Sequence, residues 1–367
     1  MSNRRTILAV AVLAALGALG YSQFRTWRAF DWSSFWQQTR GVNLWLIALG
    51  TTGIYLTYVL RAVRWSVFLR PLRKVPAAAL IKPTFVGFAG VALLGRAGEL
   101  VRPYLIARRE KLQFPTQISI WAVERIFDVG AFAILLSLDI LFSRQLHHLP
   151  HFNAIRDAGY ALMGLTLVLG VSAFLVWRWT EAVALGLCRA LSVVSPRLGA
   201  LAQHNVREFG QGLHTMRSVG AFLEAFGLSL LIWTIIAMSY LAIAHSYPSE
   251  TLAEAAVADS LRILPHQMRL SHVFPLIASS MAGSIVQLPA VGGGSQLAVI
   301  TVLIAVFQVP KELAVSCGML MWLVTFMAVV PPGLYLAHRE HISLRTISRD
   351  THADSTSAAE PAPLSRE

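Results

Sequence analysis

The sequence predicts an all-α, polytopic integral membrane protein, and three observations carry that expectation. Of 367 residues, 55% are apolar and 14% charged, where a soluble domain of this size carries about 25% charged residues. Mean hydropathy is +0.58, and several apolar runs reach roughly 19 residues or more, enough to cross a hydrocarbon core about 30 Å thick. The 31 Lys and Arg, against 19 Asp and Glu, gather at the ends of those runs, where the cytoplasmic face of a membrane retains cations. A disordered chain would be poor in Leu, Ile, Val and Phe, and a disulfide scaffold would be rich in cysteine. Topology accounts for the positive charge, so no nucleic-acid partner is expected. Cys188 and Cys317 stand far apart, which fits packing residues better than a thiolate metal site.

Taken in order, the stretch 7–20 follows Arg4 and Arg5 and is short. It is either a first span or the apolar core of a signal peptide; with no small-x-small cleavage site before a soluble start, the span is favoured. Trp27, Phe30, Trp32, Phe35 and Trp36 recur at helical spacing, the pattern of an amphipathic helix lying in the headgroup layer. Five long apolar stretches follow, at 42–60, 117–142, 158–177, 221–244 and 313–337, each able to span. Two further apolar regions are interrupted: 82–109 by Leu94-Gly95-Arg96-Ala97-Gly98-Glu99, and 273–307 by Pro289-Ala290-Val291-Gly292-Gly293-Gly294.

Charge decides how the interrupted regions run. If both enter and leave on one side as helical hairpins, most Lys and Arg fall on the cytoplasmic side, and the 246–270 loop outside is acidic through Glu250, Glu254 and Asp259. A full crossing by the first region would instead put Arg178, Arg189, Arg197, Arg207 and Arg217 outside, against that rule. The expected architecture is therefore about six full crossings plus two re-entrant hairpins entering from opposite faces, with both termini cytoplasmic. Inverted-repeat transporters have this pattern, although no residue-by-residue repeat is visible. Three regions are expected: 1–41 with the first span and interfacial helix, 42–340 as the transmembrane domain, and 341–367 as a disordered tail rich in Ser, Thr, Ala and Pro.

The informative residues are charges inside apolar surroundings, because an ionisable group at the bilayer centre costs several kcal/mol unless paired or wet. In the first interruption Gly95 and Gly98 permit a tight turn, Glu99 suits the start of the next helix, and Arg96 either clamps a phosphate or pairs with Glu99. Glu124 and Asp128 lie four apart on one helix face with Arg125 between them. They can hold Arg96 or Arg102 in a network or take part in proton movement; acid and base catalysis fits poorly, since it needs groups opposed across a substrate. Arg61 and Arg64, beside Trp65, either contact lipid phosphate or anchor the span. Pro289 followed by Gly292, Gly293 and Gly294 unwinds a membrane helix and frees N–H groups for an anion. Open backbone at that depth is tolerable only beside protein or a watery cavity. His147, His148 and His151 share one external loop with only Asp157 nearby, so no metal site is expected. There is no nucleotide-hydrolysis motif, GxSxG or HExxH, so neither an enzyme nor a cofactor is expected.

RAVRW at 61–65, GRAGELVR at 95–102, ERIFD at 124–128 and the Pro-then-GGG element at 289–294 together resemble a flippase-like transmembrane family. That family is related to the membrane domain of bacterial lysylphosphatidylglycerol synthases. The resemblance spans roughly 40–340 and implies an inner-membrane protein that moves, or helps to move, a phospholipid or lipid-linked precursor between leaflets; Arg96 and the backbone donors near Gly292 to Gly294 suit an anionic headgroup. It carries Arg61, Arg64, Arg96, Gly98, Glu99, Arg102, Glu124, Arg125, Asp128, Pro289, Gly292 and Gly293 as matching positions; Gly294 and Gln296 complete the candidate site. The family pattern often has a glutamate shortly after the glycines, where this chain has Gln296. The aminoacyl-transferring domain of the full synthases is absent from the sequence, so lysyl transfer is not expected. Two other classes stay open: a non-catalytic membrane partner of envelope-synthesis proteins, and, less favoured, a lipid-modifying enzyme with Glu99, Glu124 or Asp128 as base.

Overall fold

A computed structural model describes residues 31–142, 152–193, 195–214, 219–248, 263–285, 287–288 and 292–339. The stretch 7–20, Trp27, Phe30, the histidines 147, 148 and 151, the acidic residues 250, 254 and 259, Pro289 and the tail lie outside those residues. The described fold is helical apart from one two-residue antiparallel pair. Four stretches are long and apolar enough to cross a membrane: Leu44–Leu69, Ala77–Glu110, Val219–His245 and Lys311–Arg339.

Helix α1 (Trp32–Arg40) starts at Asp31, whose carboxylate accepts from the Ser33 and Ser34 amides at 3.0 and 3.1 Å. Those serines, Ser33 foremost, hold the Asp31 carboxyl down at about 2. Phe35 faces inward while Trp32 and Trp36 stay exposed, the division an interfacial helix requires. Thr39 bonds Ser316 at 2.8 Å, and Ser316 meets Tyr247 at the same distance. Helix α2 (Leu44–Leu69) continues past the expected end at Leu60, and Arg61 and Arg64 lie on its mostly buried C-terminal part. A cation ends a span only when water must solvate it, and these two have protein partners.

Both interrupted regions fold as hairpins. Helix α3 (Ala77–Leu94) breaks at Gly95, where φ is 66°, passes through a 3-10 turn (Gly95–Leu100) and returns as α4 (Val101–Glu110). The arms approach so closely that a Cβ on Gly90 would stand 3.1 Å from Val101, and one on Gly98 would run into the Gly90 backbone. Helix α5 (Phe114–Phe142) is followed by α6 (Phe152–Ser192), kinked at Trp179, and α7 (Pro196–His214). Arg207 grips Glu181 through bonds of 3.0 and 2.8 Å and ties α7 to α6. Helix α8 (Val219–His245) packs along α2.

The second hairpin runs through α9 (Leu270–Gly283), strands β1 (Gln287–Leu288) and β2 (Gly292–Gly293), and α10 (Gly294–Ala305). Gly293, with φ of 80°, turns the chain into α10. Gly283 packs against the Gly294 backbone and lies where a Cβ would meet Ala298 at 2.8 Å. Strand β1 lies beside the 3-10 turn of the first hairpin, so the two breaks meet. Helix α11 (Lys311–Trp322) passes through a π turn (Leu323–Met327) into α12 (Val330–Arg339). Pro332 has no N–H to offer the Ala328 carbonyl; the Tyr55 hydroxyl donates to it instead, at 2.7 Å.

The glycine packing yields a test. Gly98→Ala should destabilise the protein by about 1–3 kcal/mol through overpacking, whereas Gly227→Ala, which faces open space, should be neutral or stabilise by roughly 0.5–1 kcal/mol. Thermal unfolding in detergent reads the difference; equal midpoints would mean the hairpin arms are not in contact.

Candidate functional site

Helical periodicity assembles the site. On α2, Arg61 and Arg64 are three residues apart; on α5, Glu124 and Asp128 are four apart; each pair therefore shares a face. Where the faces meet, Arg64 donates through Nη2 to Glu124 Oε1 at 2.7 Å and through Nη1 to Asp128 Oδ1 at 2.7 Å. Its Nη1 also reaches Ser229 Oγ at 2.6 Å, the hydroxyl proton of which goes to the Ala225 carbonyl on α8. Arg61 pairs with Asp128 at 3.1 Å. Arg125 reaches Asp128 at 2.9 Å and Glu124 at 3.4 Å. Arg102, the second residue of α4, forks onto both oxygens of Glu124. The Arg102 guanidinium lies 4.2 Å from the Trp65 ring and 5.2 Å from Phe88, so its planar faces are covered as well. Trp65 is itself fixed by its indole N–H, which donates to Gln117 at 3.2 Å.

The side chains of Arg64 and Glu124 are wholly inaccessible, while that of Arg125 is 40% exposed. Four guanidiniums surround two carboxylates, leaving an excess of two positive charges. Burying such a cluster carries a desolvation cost, which these charge-assisted hydrogen bonds offset.

Arg61 is the cluster's outlet. It lines a cavity of about 230 Å³ enclosed by α2, α3, α8, the second hairpin and the α11 π turn. Among the described lining residues it is the only charged one. Ile54, Thr57, Tyr58 and Arg61 on the α2 side are buried, whereas Ser280, Ser284, Ser295 and Gln296 on the second hairpin are partly exposed, so the cavity opens along that hairpin. Tyr240, Trp233, Trp322 and Thr325 supply further polar groups.

The expected residues therefore divide. Arg61, Arg64, Arg102, Glu124, Arg125 and Asp128 come together in one cluster, and Gln296 lines the adjoining cavity. Arg96 instead stands exposed at the tip of the first hairpin, where among the described residues it pairs with no carboxylate; Glu99 is half-buried nearby. Gly292 and Gly293 form β2, and Gly294 begins α10, which places the helix break where the glycines predict it. Ser229, Phe88, Trp233 and Trp322 went unnoticed in the sequence. A hydroxyl or indole inside an apolar run carries no periodic signal, and Ser229 is one of several polar residues, with Glu224, Thr234 and Ser239, in the 221–244 stretch.

Comparison with protein families matches residues 6–333 to the lysylphosphatidylglycerol synthase transmembrane region. The chain belongs to that family. It is thus a multi-pass membrane protein of a lipid-related family, and the match takes in the stretch 7–20 along with both hairpins. No curated protein and no solved structure matches the chain.

The cluster predicts a contrast between buried and exposed ion pairs. Glu124→Gln leaves guanidiniums buried without their counter-charge and should cost about 3–5 kcal/mol. Glu224→Gln removes only the exposed partner of Arg70, whose side chains are 51% and 39% accessible, and should cost about 0–1 kcal/mol. Unfolding midpoints in detergent separate the two; similar losses would show that the inner network is not desolvated.

Proposed function

We propose that this protein moves an anionic phospholipid or lipid-linked precursor between the leaflets of a bacterial inner membrane, without covalent chemistry, and that both termini face the cytoplasm. The observation that supports this reading most is the excess positive charge of the buried cluster, brought through Arg61 to a cavity beside the junction of two helical hairpins. A translocator must shelter a charged headgroup while acyl chains stay in lipid. The cavity is smaller than the roughly 300–1,000 Å³ of pockets that enclose a drug-sized ligand, a size suited to a headgroup with its tails left outside. Arginine suits phosphate because its planar fork donates two parallel hydrogen bonds. Broken helices that meet inside the membrane give the backbone freedom that alternating exposure needs. With no nucleotide-hydrolysis motif in the sequence, a lipid or ion gradient, or coupled synthesis, would supply the direction.

Arg61→Gln separates this role from stability. Asp128 keeps Arg64 and Arg125 when Arg61 is lost, so the variant should fold. In proteoliposomes carrying fluorescent phosphatidylglycerol, the wild type should expose inner-leaflet lipid to dithionite. Arg61→Gln should slow that exposure by about tenfold or more, the loss of one charge-assisted phosphate contact. Wild type no faster than empty liposomes across anionic headgroups would replace this reading with that of a membrane partner in envelope synthesis.

A further inference from the structure

Three histidines gather where the chain enters the second hairpin. His245, the last residue of α8, donates through Nε2 to the Met268 carbonyl at 2.7 Å. Burial, and then His245 beside it, lower the pKa of His266. His272, the third residue of α9, accepts the Arg269 backbone N–H on Nδ1 at 3.1 Å and so caps that helix. It is 5% exposed, and its ring meets that of Phe307, just beyond α10, edge-on with centroids 5.6 Å apart. The Phe307 carbonyl in turn accepts the Ile263 amide at 3.1 Å. The approach to the hairpin, its first turn and the end of its far arm therefore meet at His272.

The cap requires a neutral ring. An Nδ1 that accepts carries no proton, which puts the one ring proton on Nε2, and Nε2 is buried with no partner among the described residues. A second proton would set two N–H groups against each other at the cap and bury a cation with no acceptor. The charged and titratable groups at this end of the bundle are Arg269 and His266 on the approach, His245 on α8, Asp139 on α5, and Lys311 and Glu312 at the start of α11; neither carboxylate bonds to the His272 ring. His272 lies outside the four stretches long enough to cross a membrane; burial first, and Arg269 second, hold its pKa down at about 4. Opening the cap would return it toward the ordinary value of about 6.5, so the open form binds more protons. The closed cap is thus fully favoured above about pH 6.5 and loses that advantage as pH falls from there toward about 4.

We propose that His272 is a proton-sensitive latch on the second hairpin: neutral, it pins the first turn of α9, and protonated, as the outer medium turns acid, it releases that turn. Helix α9 carries Ile277, Ser280, Met281 and Ser284 into the cavity wall, and Ser280 lies about 12 Å along the helix from the latch. Acid would therefore loosen the wall along which the cavity opens. The latch rests on the translocation reading for its setting, in which this end of the hairpin faces outward, but it is tested without lipid movement.

Amide hydrogen exchange of the full chain in lipid nanodiscs tests it, at about pH 7.5 and about pH 5.5 with rates corrected for the intrinsic pH dependence of exchange. Protection of the Phe274, Leu276 and Ile277 amides should fall by roughly tenfold between the two, the change that one histidine of this kind dictates. His272→Asn keeps an acceptor at the same position but takes up no second proton. It should match wild type at the higher pH and vary by less than about twofold between the two. Should that variant misfold, exchange of the His272 ring Cε1 hydrogen in wild type reads the proton directly, with a midpoint well below about 6.5. Constant protection in wild type, an unchanged pH dependence in His272→Asn, which would assign it to His245 or His266, or an ordinary ring midpoint would overturn the latch. An acid-loosened hairpin in a protein that moves no lipid would overturn translocation and leave the latch standing; lipid movement with constant protection would do the reverse.

Discussion

Two carboxylates in the middle of an apolar helix set the terms for the rest of this molecule. Glu124 and Asp128 cannot be left ionised in a low-dielectric interior without counter-charges, and α5 supplies only Arg125 itself. The remaining partners come from α2, through Arg61 and Arg64, and from α4, through Arg102. The first hairpin is consequently fastened to the bundle at its returning arm. The hydroxyl of Ser229 brings in α8, and Trp65 and Phe88 cover the Arg102 guanidinium from α2 and α3. One polar node thus fixes the mutual positions of five helices that apolar packing alone would let slide, because lipid and protein interiors are about equally apolar.

The node also links stability to function in a specific way. Its arginines outnumber its carboxylates, so it is satisfied internally and still presents positive charge at its edge. Arg61 stands at that edge, paired with Asp128 on one side and facing a cavity on the other. The glycines work on the opposite problem. Gly95 and Gly293 let the chain turn at the two helix breaks, and Gly98 and Gly283 let the hairpin arms close against backbone. Under the translocation proposal, a fixed charged centre flanked by two interrupted helices is the combination a moving gate needs.

Much of this is legible from the chain. Apolar run length finds the stretches 42–60, 221–244 and 313–337, each falling on a helical stretch long and apolar enough to cross a membrane, the Gly-rich interruptions mark both hairpin breaks, and i, i+3 and i, i+4 spacing puts Arg61 with Arg64 and Glu124 with Asp128. What the sequence conceals is depth and partnership. Arg61 and Arg64 read as well as interfacial anchors as buried cations, because a residue's depth depends on how far its helix continues and on which helix lies opposite. Arg96 attracts attention as a free charge at a turn, yet the turn carries it to the surface while Arg102, one helical step into α4, enters the network. The cavity is less legible still: Tyr58, Trp233, Ser284 and Trp322 come from distant stretches, each unremarkable within an apolar run, and only the packing of α2, α8, α9 and α11 brings them together.

The central claim is that the arginines and carboxylates act as one desolvated unit, and a double-mutant cycle tests it most directly. Unfolding free energies in detergent would be measured for wild type, Arg102→Met, Glu124→Gln and the combined variant. Removing both partners should restore much of the loss caused by removing either, with a coupling of about 2 kcal/mol or more, at the upper part of the range seen for contacting residues. Losses that simply add, to within about 0.5 kcal/mol, would mean that the two side chains do not share a buried environment, and the account of the node would fail.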